Sequence, residues 1–289
     1  MAITKNQPAK GEFWVGSEVK KADRMAENRA EVVFLGTGTS VGVPALGCDC
    51  EVCTGGNPSN QRTRCSIVVR NSRGNLLVDT PPDLRTQLLR EKIGVVHEVL
   101  FTHEHADHLF GLDDLRLFPF HLGHPVPLHC EPRVEKRIRH SFDYAFSEEP
   151  ATHPGATPKL EFRSIEPNCS FTVNDIQVLP IRLKHGPRFD VLGFRFGEFA
   201  YCTDVNEIPE ASLPLLENLK VLVLGALRYR PHPTHFHLEA ALEMIQKLKP
   251  KKAYLTHLSH DFDHDKVNAE LPDGVSLAYD GLRLTFETS

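Results

Sequence analysis

Val99-Leu100-Phe101-Thr102-His103-Glu104-His105-Ala106-Asp107-His108 runs an apolar, strand-like segment straight into four metal-ligating side chains within six residues. If the strand persists through His105, the imidazoles of His103 and His105 share one face, because side chains alternate along a strand. Asp107 and His108 follow where the chain turns into helical spacing over Leu109–Phe118. One side of that turn can then hold an ion through two imidazoles, and the other a second ion through imidazole and carboxylate. Such ligands suit Zn²⁺, Mn²⁺ or Fe²⁺. The competing reading is a solvated His/Asp-rich loop, and the buried-looking strand it terminates counts against that.

Outward from this segment, short β-branched or apolar runs bounded by Gly, Pro, Asn and Asp read as strands. They lie at Val32–Leu35, Ile67–Val69, Leu76–Val78, Val99–Phe101, Ile176–Leu183, Val191–Phe196, Val221–Leu224, Ala253–Leu255 and Leu282–Phe286. Helical spacing occurs at Pro82–Lys92, Leu109–Phe118, Pro132–Phe142 and Leu238–Leu248, the last carrying a Leu238, Leu242, Ile245, Leu248 stripe stopped by Pro250. Strands early and late with helices interspersed predict an α/β protein, two sheets face to face with helices outside: a four-layered αββα sandwich. Residues 1–30 read as a polar extension containing Trp14, helical from Ser17 to Asn28, and 31–289 as one domain. Residues 143–160 read as an excursion or lid loop.

Division of 289 residues by about 150 per domain suggests two domains, but one two-sheet unit absorbs that length. The net charge of −5 argues against a protein that coats nucleic acid. No apolar run approaches the roughly 18 residues of a membrane helix, and no secretory signal core is evident. Seven cysteines, three of them within six residues, fit a reducing cytoplasm better than a disulfide framework. Cys48, Cys50 and Cys53 are metal-ligand candidates, and the other four read as small buried hydrophobes. The 16 histidines are an excess, and they cluster.

His103-x-His105-x-Asp107-His108 resembles the HxHxDH signature of the metallo-β-lactamase-fold hydrolases. Further stations of that family follow in order: Asp79 ends one strand run, His185 another, Asp204 lies in Ala200–Asp204, and His257 ends Ala253–His257. The resemblance implies that His103, His105 and His185 hold one ion. It implies Asp107, His108 and His257 for a second, with Asp204 bridging and Asp79 orienting a ligating imidazole.

The segment Gly36-Thr37-Gly38-Thr39-Ser40-Val41-Gly42-Val43-Pro44 lacks the Lys of a phosphate loop, and its Gly spacing misses GxGxxG by one residue. Followed by the CxCxxC of Cys48, Cys50 and Cys53, it looks like the PhnP-type branch, which contains the phosphoribosyl cyclic phosphate phosphodiesterase of phosphonate degradation. That resemblance implies a structural Zn²⁺ on the three thiolates and His260. Thr234–Ala241 resembles the GHxTxxxA segment of related phosphodiesterases and transfer-RNA processing nucleases, departing from it with Thr for Gly and His237 in place of Thr. His235 matches its His, placed to meet a phosphate and protonate a leaving alkoxide. Arg228, Arg230 and His232 are candidate substrate contacts, and His237 a cap or pocket-wall residue.

The function expected is a metal-dependent phosphodiesterase for a small, cyclic or nucleotide-like substrate. Two Mn²⁺ or Zn²⁺ ions, roughly 3.5–4 Å apart, lower the pKa of a bridging water, and Asp107 and His235 serve the catalysis. The rivals are transfer-RNA 3′ processing, disfavoured by the acidic net charge; thioester or lactone hydrolysis, since fold does not fix substrate; and a non-catalytic nucleotide- or metal-binding module. Stable nucleic-acid binding and membrane association are not expected. The resembled enzymes commonly dimerise, which leaves a homodimer open.

Overall fold

The computed structural model describes residues 29–147 and 152–288. The expected helix at Ser17–Asn28 and Trp14 lie outside them. The chain lays down β1 (Arg29–Gly36), β2 (Ser66–Asn71), β3 (Gly74–Val78), β4 (Glu98–Leu100), β5 (Val126–Cys130) and β6 (Leu160–Ser164). A second sheet follows from β7 (Phe171–Val173), β8 (Ile176–His185), β9 (Phe189–Phe196), β10 (Phe199–Cys202), β11 (Val221–Gly225), β12 (Lys252–Thr256) and β13 (Val275–Leu277). Finally β14 (Arg283–Glu287) returns to pair with β1, so the sheets run β14-β1-β2-β3-β4-β5-β6 and β13-β12-β11-β10-β9-β8-β7. β1 starts two residues before the expected domain boundary.

Alternation of side chains builds three apolar layers from these strands. Val32 and Phe34 of β1, Ile67 and Val69 of β2, and Leu76 and Val78 of β3 face Leu192, Phe194, Tyr201 and Val223 of the second sheet. The intervening residues Val33, Leu35, Val68 and Leu77 face outward, where α2 (Leu84–Arg90) and α5 (Pro132–Ser141) cover them. On the far side, Ala200, Leu222, Leu224 and Leu255 pack under α6 (Leu238–Leu248) and α7 (His264–Glu270). This is the αββα sandwich that the pattern of runs predicts.

The remaining helices are short: α1 (Glu51–Thr54), α3 (Ala106–Leu109) and α4 (Phe118–Leu122). The helix expected at Leu109–Phe118 is instead α3, a 3₁₀ stretch at Leu112–Leu117, and α4. Gly111 explains the break. Its N–H leaves the helix to bond the Thr80 carbonyl at 2.9 Å, while Thr80 N–H donates to the His108 carbonyl at 2.8 Å. A Cβ at Gly111 would lie 2.0 Å from the Pro81 carbonyl oxygen, so only glycine permits this approach. Among the cysteines outside the CxCxxC, Cys65, Cys130 and Cys202 are buried as expected, but Cys169 is exposed at the turn before β7. No helix among the described residues is long and apolar enough to cross a membrane.

Candidate metal centre

The strand ends of both sheets meet at one edge, and the chemistry sits there. Asp79 follows β3, Asp204 lies two residues past β10, and His257 follows β12. All three are left-handed, with φ of 64°, 49° and 58°. Among non-glycine residues, Asp and His tolerate this region best, and such strain is typical of functional sites. His185 is the last residue of β8.

β4 stops at Leu100, earlier than the strand expected through His105. The reason is that Thr102 spends its backbone N–H and hydroxyl on Asp79 Oδ1 and Oδ2, both at 2.8 Å, while its carbonyl accepts from Leu192 of the second sheet at 3.0 Å. The backbone at His105 nevertheless remains extended, with φ −71° and ψ 153°. His103 Nε2 therefore still comes within 3.0 Å of His105 Nδ1, and the two imidazoles converge with that of His185.

A second set, Asp107, His108, Asp204 and His257, gathers beside the first. Asp204 joins the two. Its Oδ1 lies 3.3 Å from His108 Nε2, and its Oδ2 lies 3.3 Å from His257 Nε2 and 3.9 Å from the Nε2 atoms of His103 and His185. The ring tautomers are set from behind. His108 Nδ1 meets Asp79 Oδ2 at 2.7 Å, and His185 Nδ1 donates to the Thr234 carbonyl at 2.7 Å, freeing Nε2 in both rings. His103 Nδ1 contacts Thr102 Oγ1 at 2.9 Å, so Asp79 orients two histidines, one directly and one through Thr102. Thr102 is the site residue that sequence reasoning missed; its adjacency to His103 was the only signal.

Burial and mutual charge shift these groups strongly. Burial alone would raise Asp204, yet His257, His108 and His103 around it hold it well below the usual carboxylate range. Burial opposes protonation of His108, but Asp204, Asp107 and Asp79 raise it well above an ordinary imidazole. Burial, then His108, pushes His103 down. His108 Nε2 and both ring nitrogens of His257 are buried without a hydrogen-bond partner. Buried polar atoms are ordinarily satisfied, and a divalent cation among these imidazoles and carboxylates would satisfy them. The donor set fits divalent metal.

His235 adjoins this centre three residues before α6. Its ring stacks on His257 with centroids 4.5 Å apart and lies 4.6 Å from that of His185. Burial and the neighbouring His257 push its pKa down to about 2. His232 stands 5.3 Å from His235, with Nδ1 accepting from Thr234 N–H at 3.3 Å. The expectation that Arg228 contacts phosphate gains no support. Its Nε and Nη2 donate to the Arg230 and Pro231 carbonyls at 3.1 and 2.9 Å, so it braces its own loop, and Arg230 is exposed. His237 occupies the N-cap position of α6 without a side-chain capping bond. His124 lines a separate cavity with Phe120 and Pro154, not the metal centre.

The cysteine loop forms a third cluster. Cys48 and Cys50 Sγ lie 3.0 and 3.4 Å from His260 Nδ1, and Cys53 Sγ accepts from Ala45 N–H at 3.3 Å. The Cys53 N–H, then His260, lowers Cys50 to about 6, while burial pushes Cys53 up to about 11. The His260 turn is gripped from inside by Arg62, which is only 1% exposed and donates to the Ser259 and Phe262 carbonyls at 3.1 and 2.8 Å. Nothing in the sequence distinguished Arg62 from a surface arginine.

Comparison with known proteins agrees with this geometry. A β-lactamase superfamily domain model matches residues 74–258. The structure of a diphosphatase from the PhnP family is 40% identical, with a TM-score of 0.84, covering 90% of this chain and 98% of that one. The octanoyltransferase of Porphyromonas gingivalis is 38% identical over 253 residues, 86% of this chain but 50% of that protein. A ribonuclease Z of Picosynechococcus is 25% identical over 174 residues, 58% of this chain and 47% of that one. The chain thus spans about half the length of these two curated relatives. With a family model over most of the chain and a PhnP-family likeness over nearly its whole length, the protein belongs to the β-lactamase superfamily.

Proposed function

We propose that this hydrolase cleaves a small phosphodiester, cyclic or nucleotide-like. The observation carrying this reading is the pairing of two donor sets across Asp204 with His235 stacked at their edge, a layout with room for charge on a phosphate and a proton for its leaving group. The diphosphatase named among its relatives supports a phosphorus centre. His103, His105 and His185 would hold one ion and Asp107, His108 and His257 the other, with Asp204 between; Mn²⁺ and Zn²⁺ both suit such ligands. Cys48, Cys50, Cys53 and His260 would hold a structural Zn²⁺. When bound, the active-site pair supplies positive charge for phosphate oxygens and acidifies the attacking water.

Around that pair the protein's residues have separable tasks. Asp79 fixes the imidazole of His108 and, through Thr102, that of His103. Asp107, 3.3 Å from His108 Nε2, holds its carboxyl far below the usual range because His108 and His257 outweigh its burial. It therefore stays ionised across the working pH. His235 is neutral in the free protein; the negative charge of a phosphate beside it raises its pKa, so it becomes a proton donor only in the complex. The alkaline limb that a proton-donating His235 sets consequently belongs in kcat rather than in kcat/KM.

The test is a metal-resolved screen of cyclic phosphodiesters, including cyclic nucleotides and ribosyl cyclic phosphate, with His235→Ala alongside. The variant should lose about a hundredfold on substrates with alkoxide leaving groups and far less on bis(p-nitrophenyl) phosphate, whose leaving group needs no proton. Equal loss on both would remove His235 from the acid role. A second reading, thioester hydrolysis, is favoured by one observation, the octanoyltransferase relative. Turnover of an octanoyl thioester ahead of every phosphodiester would establish it. Salt-sensitive cleavage of precursor transfer RNA would instead establish the ribonuclease Z-like reading.

A further inference from the structure

We propose that Arg133 and Glu104 are positioning residues of the metal centre. With Glu131 and Arg182 they form a charged chain that sets the spacing of His103 and His105 from His185, and so governs affinity for one of the two ions. The inference rests on the metal assignment above and on no choice of substrate.

The pair arises from the register of two neighbouring parallel strands. Leu100 of β4 stands opposite His129 of β5, and Glu104 and Arg133 each lie four positions further on. The Phe101 N–H donates to the His129 carbonyl at 3.0 Å, which carries the alignment one residue past the end of β4. Arg133 sits in the first turn of α5, whose Val134 and Ile138 are fully buried, so the core fixes its backbone. Glu104, between two metal-ligating histidines, brings its Oε2 to 3.5 Å from Arg133 Nε.

Arg133 faces a second carboxylate as well, with Nη2 3.5 Å from Glu131 Oε2. Glu104 Oε2 and Arg133 Nε and Nη2 are buried and make no hydrogen bond, so ion pairing is what balances their removal from water. Glu131 then reaches the other sheet. Its Oε2 accepts from Arg182 Nη1 at 3.0 Å, and its Oε1 accepts from Arg182 Nη2. Arg182 lies on β8 three residues before His185, and its carbonyl accepts from Ser212 Oγ at 2.7 Å.

Four charges of alternating sign thus run from the loop bearing His103 and His105 to the strand bearing His185, the three donors of one set. The other set is braced differently, His108 by Asp79 at 2.7 Å and His257 by Asp204 at 3.3 Å. Partly exposed ion pairs contribute little to folding, so the weight of this chain falls on geometry. A planar guanidinium addresses two carboxylates at fixed angles, which a lysine ammonium does not.

Chelator competition on the Zn²⁺-loaded protein tests the proposal without requiring turnover. Arg133→Ala should weaken one exchangeable equivalent about 10–100-fold and leave the other within about threefold. Glu104→Gln, which keeps the size and removes the charge, should also weaken one equivalent, and Arg133→Lys should recover part of the loss. The double variant Glu104→Ala/Arg133→Ala should bind no more weakly than Arg133→Ala alone, because a single contact carries both effects. Arg139→Ala, on the same helix and paired with Glu135, should bind both ions as the wild type does. Equal weakening of both equivalents, or single-variant effects that add in the double variant, overturns the proposal. A wild type with two exchangeable ions and an Arg133→Ala variant that holds both as tightly also overturns it, while leaving the metal assignment intact. A wild type with no exchangeable ion overturns both.

Discussion

The histidine–aspartate centre and the cysteine loop are both metal-ligand clusters, yet they are built in opposite ways. The first collects donors from the ends of β8, β10 and β12 and from the segment after β4, with Asp79 at the end of β3 orienting them, so it exists only when both sheets have assembled. Its ring nitrogens are buried, several lack partners, and Asp79, Asp204 and His257 take left-handed backbone to reach them. The second takes three donors from a six-residue loop and one from the turn after β12, with Cys48 and Cys50 only partly buried. A centre made of many distant strand ends is placed for chemistry, and its loss should register in rate. A cluster that ties one loop to one turn should register in stability.

The largest expected effect therefore belongs to the shared centre. His103→Ala should lower hydrolysis at least about a thousandfold, or about 4 kcal/mol of transition-state stabilisation, with little change in melting temperature. Steady-state kinetics beside differential scanning fluorimetry checks this. A variant that melts early and still turns over would reverse the assignment of the two regions. Next comes Asp79→Asn, which touches no ion but deprives His108 and Thr102 of their anchor. Metal affinity should fall about 10–100-fold, read by competition with a chelator, and excess metal should restore most of the activity.

The same contrast explains what the sequence made legible. The residues of the centre are polar side chains ending apolar strands, an improbable juxtaposition that repeats from Asp79 to His257, so the order of residues alone makes them stand out. Thr102 and Arg62 do not, because what they do depends on geometry: one bridges Asp79 and His103, the other reaches carbonyls about 200 positions away. The strands missing from the list of runs were β5, β6, β7, β10 and β13. β6 reads Leu-Glu-Phe-Arg-Ser with an exposed face at the sheet edge, and β7 and β13 are three residues each, too short for a period. Likewise the helix after His108 carried the right spacing and was broken by Gly111, whose role lies in its contact with Pro81.

For the cysteine loop, Cys50→Ser should remove one equivalent of tightly held zinc while two metals per chain remain exchangeable. The melting temperature should drop by roughly 4–8 °C, corresponding to about 2 kcal/mol in a chain of this size. Activity measured well below the new melting temperature should change less than about threefold. Unchanged metal content and stability would leave three thiols and an imidazole with no common ligand.

The smallest effect lies where α7 braces the same loop. Asp263 caps α7 by accepting from Lys266 N–H at 3.0 Å and takes a second bond from Asn60 Nδ2 at 2.9 Å. Asn60 Oδ1 in turn accepts from Arg62 at 3.1 Å and from His264 N–H at 2.9 Å, so the cap is joined to the turn carrying His260. Asp263→Ala should cost about 1 kcal/mol, as N-cap removals do, with no loss of hydrolysis at 25 °C. The cost should also depend on pH. The Lys266 N–H, then Asn60, holds the Asp263 carboxyl below its ordinary value, so the folded state favours the carboxylate. Its stabilisation is complete above the unfolded pKa of about 3.9 and disappears as pH falls through the lower folded value. Denaturant melts of wild type and Asp263→Ala should therefore differ at pH 7 and converge toward pH 3. A difference that persists undiminished into acid would mean the carboxylate's charge contributes nothing, and that Asp263 holds the loop through packing alone.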